Sequence, residues 1–311
     1  MPYAVVAAHS GASKTTVTIG GVSYDVYEFA SVGGGSVEFA AAGDVDYLIV
    51  GGGGAGASGR YYAGSGGGGG DVQQGVIAVP AAAHSIVVGA GGAGSPAHDT
   101  QAHAGMMGQN SAALGLTAYG GGRGGNLSAP TPNVPGNGGG GYGANTAGGQ
   151  STAGGYNGGF SVDQSLPGGG AGDSADGEQG EVFNTPYKGR GGIGTVSSIT
   201  GAPVIYGSGG TGGNRYSATT IPAPSGGGYG GTSSEDGGPG TDGLGGGGGG
   251  AGNNCRGAKG GSGVVILRVA TPVAVTIPGP GKLDLFNARQ IKTAAGEWLE
   301  AKGPGWHWVR S

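Results

Sequence analysis

The residues with the clearest chemical spacing are Gly51, Gly53 and Gly56, a G-x-G-x-x-G triplet directly after the apolar run Tyr47 to Val50, with Asp71 twenty positions beyond Gly51. That spacing serves dinucleotide binding when the third glycine opens a helix whose N-terminal amides meet the pyrophosphate. Here ASGRYYAGSGGGGG follows, and so glycine-rich a stretch cannot form a helix, because each glycine is about 1 kcal/mol worse than alanine there. No cofactor is expected. His98, Asp99 and His103 bring imidazole and carboxylate groups close in sequence, but their spacing fits no standard metal pattern and reads as a solvated loop. Asp173, Asp176, Glu178 and Glu181 offer hard oxygen donors to calcium without the spacing of a calcium-binding loop. Cys255 is the only cysteine, which excludes an intrachain disulfide and a cysteine-rich zinc site. No Ser-His-Asp grouping or catalytic carboxylate pair can be placed in a pocket, and the chain is not expected to be an enzyme.

The elements that would position such residues are set by composition. Of 311 residues, 85 are glycine and 16 proline, while only 10% are charged and the net charge is -4. Disordered chains usually carry more charge, and collagen needs glycine strictly every third residue, so neither class fits. The weak acidity gives no basic field for nucleic acid. Apolar stretches such as Val264-Val265-Ile266-Leu267 are too short to cross a bilayer, so no membrane insertion is expected. The start, MPYAVVAAHSGAS, has no lysine or arginine before Ala4 to Ala8, and a secretory signal is not expected.

Glycine is unevenly spread, with 73 of the 85 between residues 51 and 263. There it forms twelve runs, roughly 51-59, 64-70, 89-94, 120-125, 136-143, 154-159, 168-172, 189-194, 207-213, 226-231, 237-252 and 257-263. Such runs suit the extended polyproline II conformation, which has no internal hydrogen bonds. Their amides and carbonyls must then be paired by neighbouring runs, whose backbones can approach closely because no Cβ intervenes. The apolar segments 47-50, 76-79, 85-88 and 264-269 read as strands of one small sheet at the base. The expected fold is therefore a mainly non-α, non-β polyglycine II helix sandwich on a small β-sheet base, flanked by β-rich termini. Its parts are a strand region over 1-46, the glycine-rich domain over 47-270 and a tryptophan-containing attachment region over 271-311.

If successive runs are antiparallel, an even number returns the chain to its base, and the inserts opposite are 60-63, 95-119, 144-153, 173-188, 214-225 and 253-256. These carry Arg60, Tyr61, Tyr62, His98, Asp99, His103, Asp173, Asp176, Phe183, Tyr187, Arg215, Tyr216 and Arg256. Aromatic rings beside a few charges suit sugar or protein-surface recognition, because a rigid ring supplies contact area at low entropic cost. The competing reading is that the tyrosines pack on the edges of the glycine runs. In the tail, Trp298, Trp306 and Trp308 exceed what so short a segment buries alone, which points to docking on another chain.

The segments DYLIVGGGGAGASG, GGGGGDV, SIVVGAGGAG and GGGGGGAGNN…GAKGGSGVVILRV, in that order over roughly residues 36 to 269, resemble the glycine-rich domain of bacteriophage tail-fibre and adhesin proteins. The closing IKTAAGEWLEAKG and GWHWVRS are similar to short Gly-x-Trp strand repeats of tail proteins. The resemblance implies packed polyglycine II helices whose variable connecting loops bind a receptor on the bacterial surface, either polysaccharide or outer-membrane protein. It further implies a virion location at the tail fibre or tail tip, other tail proteins as partners, and a possible homotrimer. A structural virion component, such as a fibre spacer or decoration protein, is the alternative; only an adhesin should bind host cells and block infection. An ice-binding protein would need regular repeats, and these inserts are irregular.

Overall fold

The computed structural model describes residues 3–59, 61–95, 105–126, 130–162, 166–180, 188–216 and 219–271, together with the backbone of three short strands between 290 and 310. The chain opens with β1 (Val5–Ser10), β2 (Ser13–Ile19), β3 (Val22–Phe29), β4 (Gly33–Ala41) and β5 (Gly43–Val50). After the first two glycine runs come β6 (Val72–Val79) and β7 (Ala83–Val88), then the hairpin of β8 (Ser111–Ala113) and β9 (Leu116–Ala118). A second hairpin, β10 (Thr195–Ser197) and β11 (Val204–Tyr206), interrupts the glycine region, and β12 (Val264–Ala270) closes it. The tail adds β13 (Gln290–Lys292), β14 (Trp298–Lys302) and β15 (His307–Arg310) in an antiparallel meander.

Two five-stranded antiparallel sheets, in the orders β2-β3-β12-β5-β6 and β1-β4-β7-β8-β9, face each other across one core. The alternation along each strand decides which side chains enter it. Tyr27 and Phe29 of β3, Val45 and Ile49 of β5, and Val265 and Leu267 of β12 meet Val37 and Phe39 of β4 and Ile86 and Val88 of β7. The outer face of the first sheet is covered by the β10–β11 hairpin, which packs Ile199 and Tyr206 on Val26, Leu48, Val50, Val264 and Ile266. β12 is thus apolar on both faces, which is why it reads as an unbroken run VVIL rather than an alternation.

This corrects the expected fold. Among the described residues there is no helix, the regular secondary structure is all β, and the sheets are not a small base. Residues of the first region pair directly with strands flanking the glycine runs, β3 with β12 and β4 with β7, so Tyr27 and Phe29 share the core of Ile49 and Leu267. The 46/47 boundary falls inside β5. The reason is non-local: a strand's partner across more than two hundred residues leaves no trace in local spacing.

The glycine runs carry neither helix nor strand, and their hydrogen bonds repeat every third residue. Gly51, Gly54 and Ala57 donate to the carbonyls of Asp71, Gly68 and Ser65; Gly52 and Ala55 to Gln109 and Met106; Gly53, Gly56 and Gly59 to Gly261, Ala258 and Cys255. The amides of one run therefore serve three antiparallel neighbours in rotation, the period of an extended three-residue turn, while its carbonyls accept from three further runs. The close approach excludes side chains. A Cβ on Gly52 would strike the Ala90 carbonyl, on Gly53 that of Gly246 and on Gly54 that of Gly122.

Candidate functional site

The hydrogen-bond levels define two ends of the array. Gly51 pairs with Asp71 and Gly70 with Gly245 next to the sheets, whereas Gly59 pairs with Cys255, Gly64 with Ala251 and Gly213 with Gly64 at the other end. Eight residues separate Gly51 from Gly59, roughly 25 Å at about 3.1 Å per residue. The turns at 61–63, 214–216 and 253–256 meet there, far in sequence and adjacent in space.

In this cluster the Arg215 guanidinium lies over the ring of Tyr62 at 4.8 Å and over that of Tyr216 at 5.3 Å, a cation–π contact with each. Tyr61 takes a left-handed backbone, φ 59°, as does Asn254 at φ 58° in the facing turn. The Asn254 side-chain oxygen accepts the Tyr61 amide at 3.2 Å and locks the two turns together. Asn214 accepts the Tyr216 amide at 2.9 Å, and Asp236 accepts that of Arg256 at 2.7 Å. Tyr61 and Tyr216 are 57% and 55% exposed, so their rings are presented rather than packed on the array. Cys255 sits among these turns with its thiol donating to the Asn253 carbonyl at 3.2 Å. Burial, with Asp236 and Glu235 nearby, pushes that thiol up, away from the thiolate a nucleophile requires.

The sequence reading thus brings Tyr61, Tyr62, Arg215, Tyr216 and Arg256 to one end, as the structure does. It missed Asn214, Asn254 and Asp236, whose signal was their type: short polar side chains that stabilise turns and, for Asn254, tolerate a left-handed backbone. Arg60, His98, Asp99, His103, Phe183, Tyr187 and Trp306 lie outside the described residues, as do the side chains of Trp298 on β14 and Trp308 on β15.

Asp173 and Asp176 require a correction, because they belong to the sheet end. The Asp173 carboxylate accepts the Val72 amide at 2.9 Å, the Thr195 hydroxyl at 2.6 Å and the Asn137 side-chain amide at 3.3 Å. Asp176 accepts the amide of Asn157, whose neighbour Tyr156 donates to Asn137, and Asn137 in turn donates to the Gly70 carbonyl. The count of twelve runs failed because further runs hide between glycine-poor residues. Residues 105–110, AGMMGQN without its first alanine, return from the far end beside Gly52 and Ala55, and 111–118 then form β8 and β9 in the second sheet. Burial, chiefly, pushes Asp173 up to about 6 against its three hydrogen bonds, with Asp71 adding to the rise. Among the described residues no group of three or more His, Cys, Asp or Glu side chains is placed to hold a metal.

The architecture is a two-sheet sandwich carrying a backbone-bonded glycine array, with an aromatic and cationic cluster on its distal turns. The family model for the glycine-rich domain matches residues 30–270, and the chain belongs to that family. A comparison with curated proteins found no match.

Proposed function

We propose that the chain is a tail-fibre or tail-tip adhesin of a bacteriophage, located in the virion, which recognises a bacterial surface receptor through the turns at the far end of its glycine array. The observation that carries this reading is the cluster of Tyr61, Tyr62, Arg215 and Tyr216, assembled from turns more than 150 positions apart and left open at the end remote from the sheets. Rings held against a guanidinium lose little entropy on binding, and the guanidinium keeps edge donors for hydroxyl, carboxylate or carbonyl acceptors. Recognition of this kind needs no chemical step, and the proposal is of a binder rather than an enzyme. The array supports the reading physically: its turns are anchored by rigid backbone bonding while their sequences are free to differ. The tail with Trp298, Trp306 and Trp308 is proposed to attach the chain to other tail proteins.

The test is binding of fluorescently labelled protein to a panel of Gram-negative and Gram-positive cells, followed by phage adsorption to any strain that stains. An adhesin stains particular strains and lowers adsorption to them in proportion to dose. Staining of no strain, or staining without any effect on adsorption, contradicts the proposal and favours a spacer role.

A further inference from the structure

The four edges of the two five-stranded sheets are not alike. β1 is broken by register shifts at Val5/Val6 and Val6/Ala8, β9 is three residues long, and β2 carries Lys14, ion-paired to Asp25 at 2.8 Å, among threonines. Bulges, short length and lysine all discourage a sheet edge from pairing with another chain. The remaining edge, β6, has none of these. Its sequence VQQGVIAV is uncharged and keeps unbroken register with β5 from Val50↔Val72 to Gly43↔Val79.

The backbone orientation of β6 is fixed by its first residues. The Val72 amide turns away from β5 to the Asp173 carboxylate, and the alternation of the antiparallel ladder then points the backbone groups of Gln73, Gly75, Ile77 and Val79 toward β5. The amides and carbonyls of Gln74, Val76 and Ala78 therefore face outward. All three residues are exposed, Val76 by 64%, and no described residue forms a backbone bond with their outward groups. The open stretch is bounded at one end by Val72, whose amide is taken, and at the other by Pro80, which has no amide to offer. Val76 is its midpoint.

We infer that β6 pairs antiparallel with β6 of a second copy of this chain, across a twofold axis at Val76. In that register Val76 faces its own counterpart, Gln74 faces Ala78 of the second copy, and each of the three facing pairs exchanges two backbone hydrogen bonds. The symmetry of the open groups about one residue favours a second copy over an unrelated strand. So does the absence of charge: self-pairing sets no like charges opposite each other, and a charged partner strand would find nothing to complement. Val76 also borders, with Gln74, Ile19 and Ile199, a cleft of about 460 Å³ on the outer face, and the joined sheet would wall its β6 side. The array's distal turns stay open on both copies, so the pair would present two recognition surfaces.

The experiment is sedimentation equilibrium of the full chain over micromolar concentrations, comparing wild type with Val76→Pro and Val76→Lys. Proline at 76 removes only an outward amide and spares the ladder to β5. Wild type is expected at twice the 29.2 kDa chain mass and both variants at 29.2 kDa, with unchanged circular dichroism. Val76→Cys in a Cys255→Ser background checks the register without weakening the strand: mild oxidation is expected to give a covalent dimer that Gln73→Cys in the same background does not. A monomeric wild type overturns the inference. So does a dimer that survives both edge substitutions and forms no Val76→Cys crosslink.

Discussion

The sandwich and the glycine array bury their backbones by opposite means within one chain. In the sandwich, strands stand apart at the distance their side chains dictate, and Phe29, Phe39, Ile49 and Leu267 fill the space between sheets. Its stability rises with apolar area removed from water, about 25 cal/mol per Å². In the array, residues 51 to 59 are as buried as Ile49, yet the largest side chain among them is a serine. What holds them is backbone pairing with six neighbouring runs, three accepting from their amides and three donating to their carbonyls, each bond contributing about 1 kcal/mol net against glycine's large conformational entropy. The difference teaches that burial is sensitive to lost atoms in one region and to added atoms in the other.

Adding atoms to the array should have the largest effect. A Cβ on Gly247 would strike the Gly67 carbonyl, and no flexible side chain is there to yield. Gly247→Val is therefore expected to cost more than about 4 kcal/mol, read as loss of soluble folded protein or collapse of the urea midpoint. Gly34→Val on β4, where a Cβ meets nothing within 4 Å, should change stability by no more than about 0.5 kcal/mol. Equal tolerance at both positions would break the comparison. Removing atoms should matter next, and in the sandwich: Phe39→Ala empties a site 2% exposed and packed edge-on to His84, at about 3–5 kcal/mol in urea unfolding.

The junction between the regions gives the third prediction. Asp173 ties Val72 of the sandwich to Asn137 of the array and Thr195 of the hairpin, and its folded pKa of about 6 lies above the ordinary 3.8. A raised carboxyl stabilises the fold fully below about pH 4, and that stabilisation is lost as pH rises through about 6. The loss amounts to up to about 3 kcal/mol. Asp173→Asn removes the charge, keeps one oxygen to accept the Val72 amide, and replaces the oxygen that accepts from Thr195 with an amide that can donate to the Thr195 oxygen. Thermal melts should show the variant equal to wild type near pH 4 and more stable at pH 8; parallel melting curves across that range would show that the junction is not charge-limited. Smallest of all, Arg215→Ala or Tyr216→Ala should shift stability by about 0.5 kcal/mol or less, since the distal turns bear on neither core.

The same contrast explains what could be read from residues alone. β12 and β5 were legible because their apolar runs are unbroken by glycine, and the distal position of Tyr61, Arg215 and Arg256 followed from alternating runs. The pairing of β3 with β12 was not, because register across the whole array has no local signature. Run 105–110 escaped notice because it contains Met106 and Met107. Those side chains are 64% and 50% exposed: with a three-residue period, a run at the array's surface can carry a side chain wherever its Cβ points to solvent. Tyr229, 45% exposed and laid across Gly238, follows the same rule. Counting every third position, rather than counting glycines, would have found the extra runs and moved Asp173 to the sheet end.

The central claim is that the array exists to hold its distal turns toward a receptor. It is tested most directly by phage adsorption competed with purified protein, wild type against the combined Tyr61→Asn, Arg215→Ala and Tyr216→Ala variant, in which asparagine keeps the left-handed backbone at 61. Wild type should block adsorption, and the variant should fail to do so at an unchanged melting temperature. A variant that folds as well and competes as well as wild type would contradict the account.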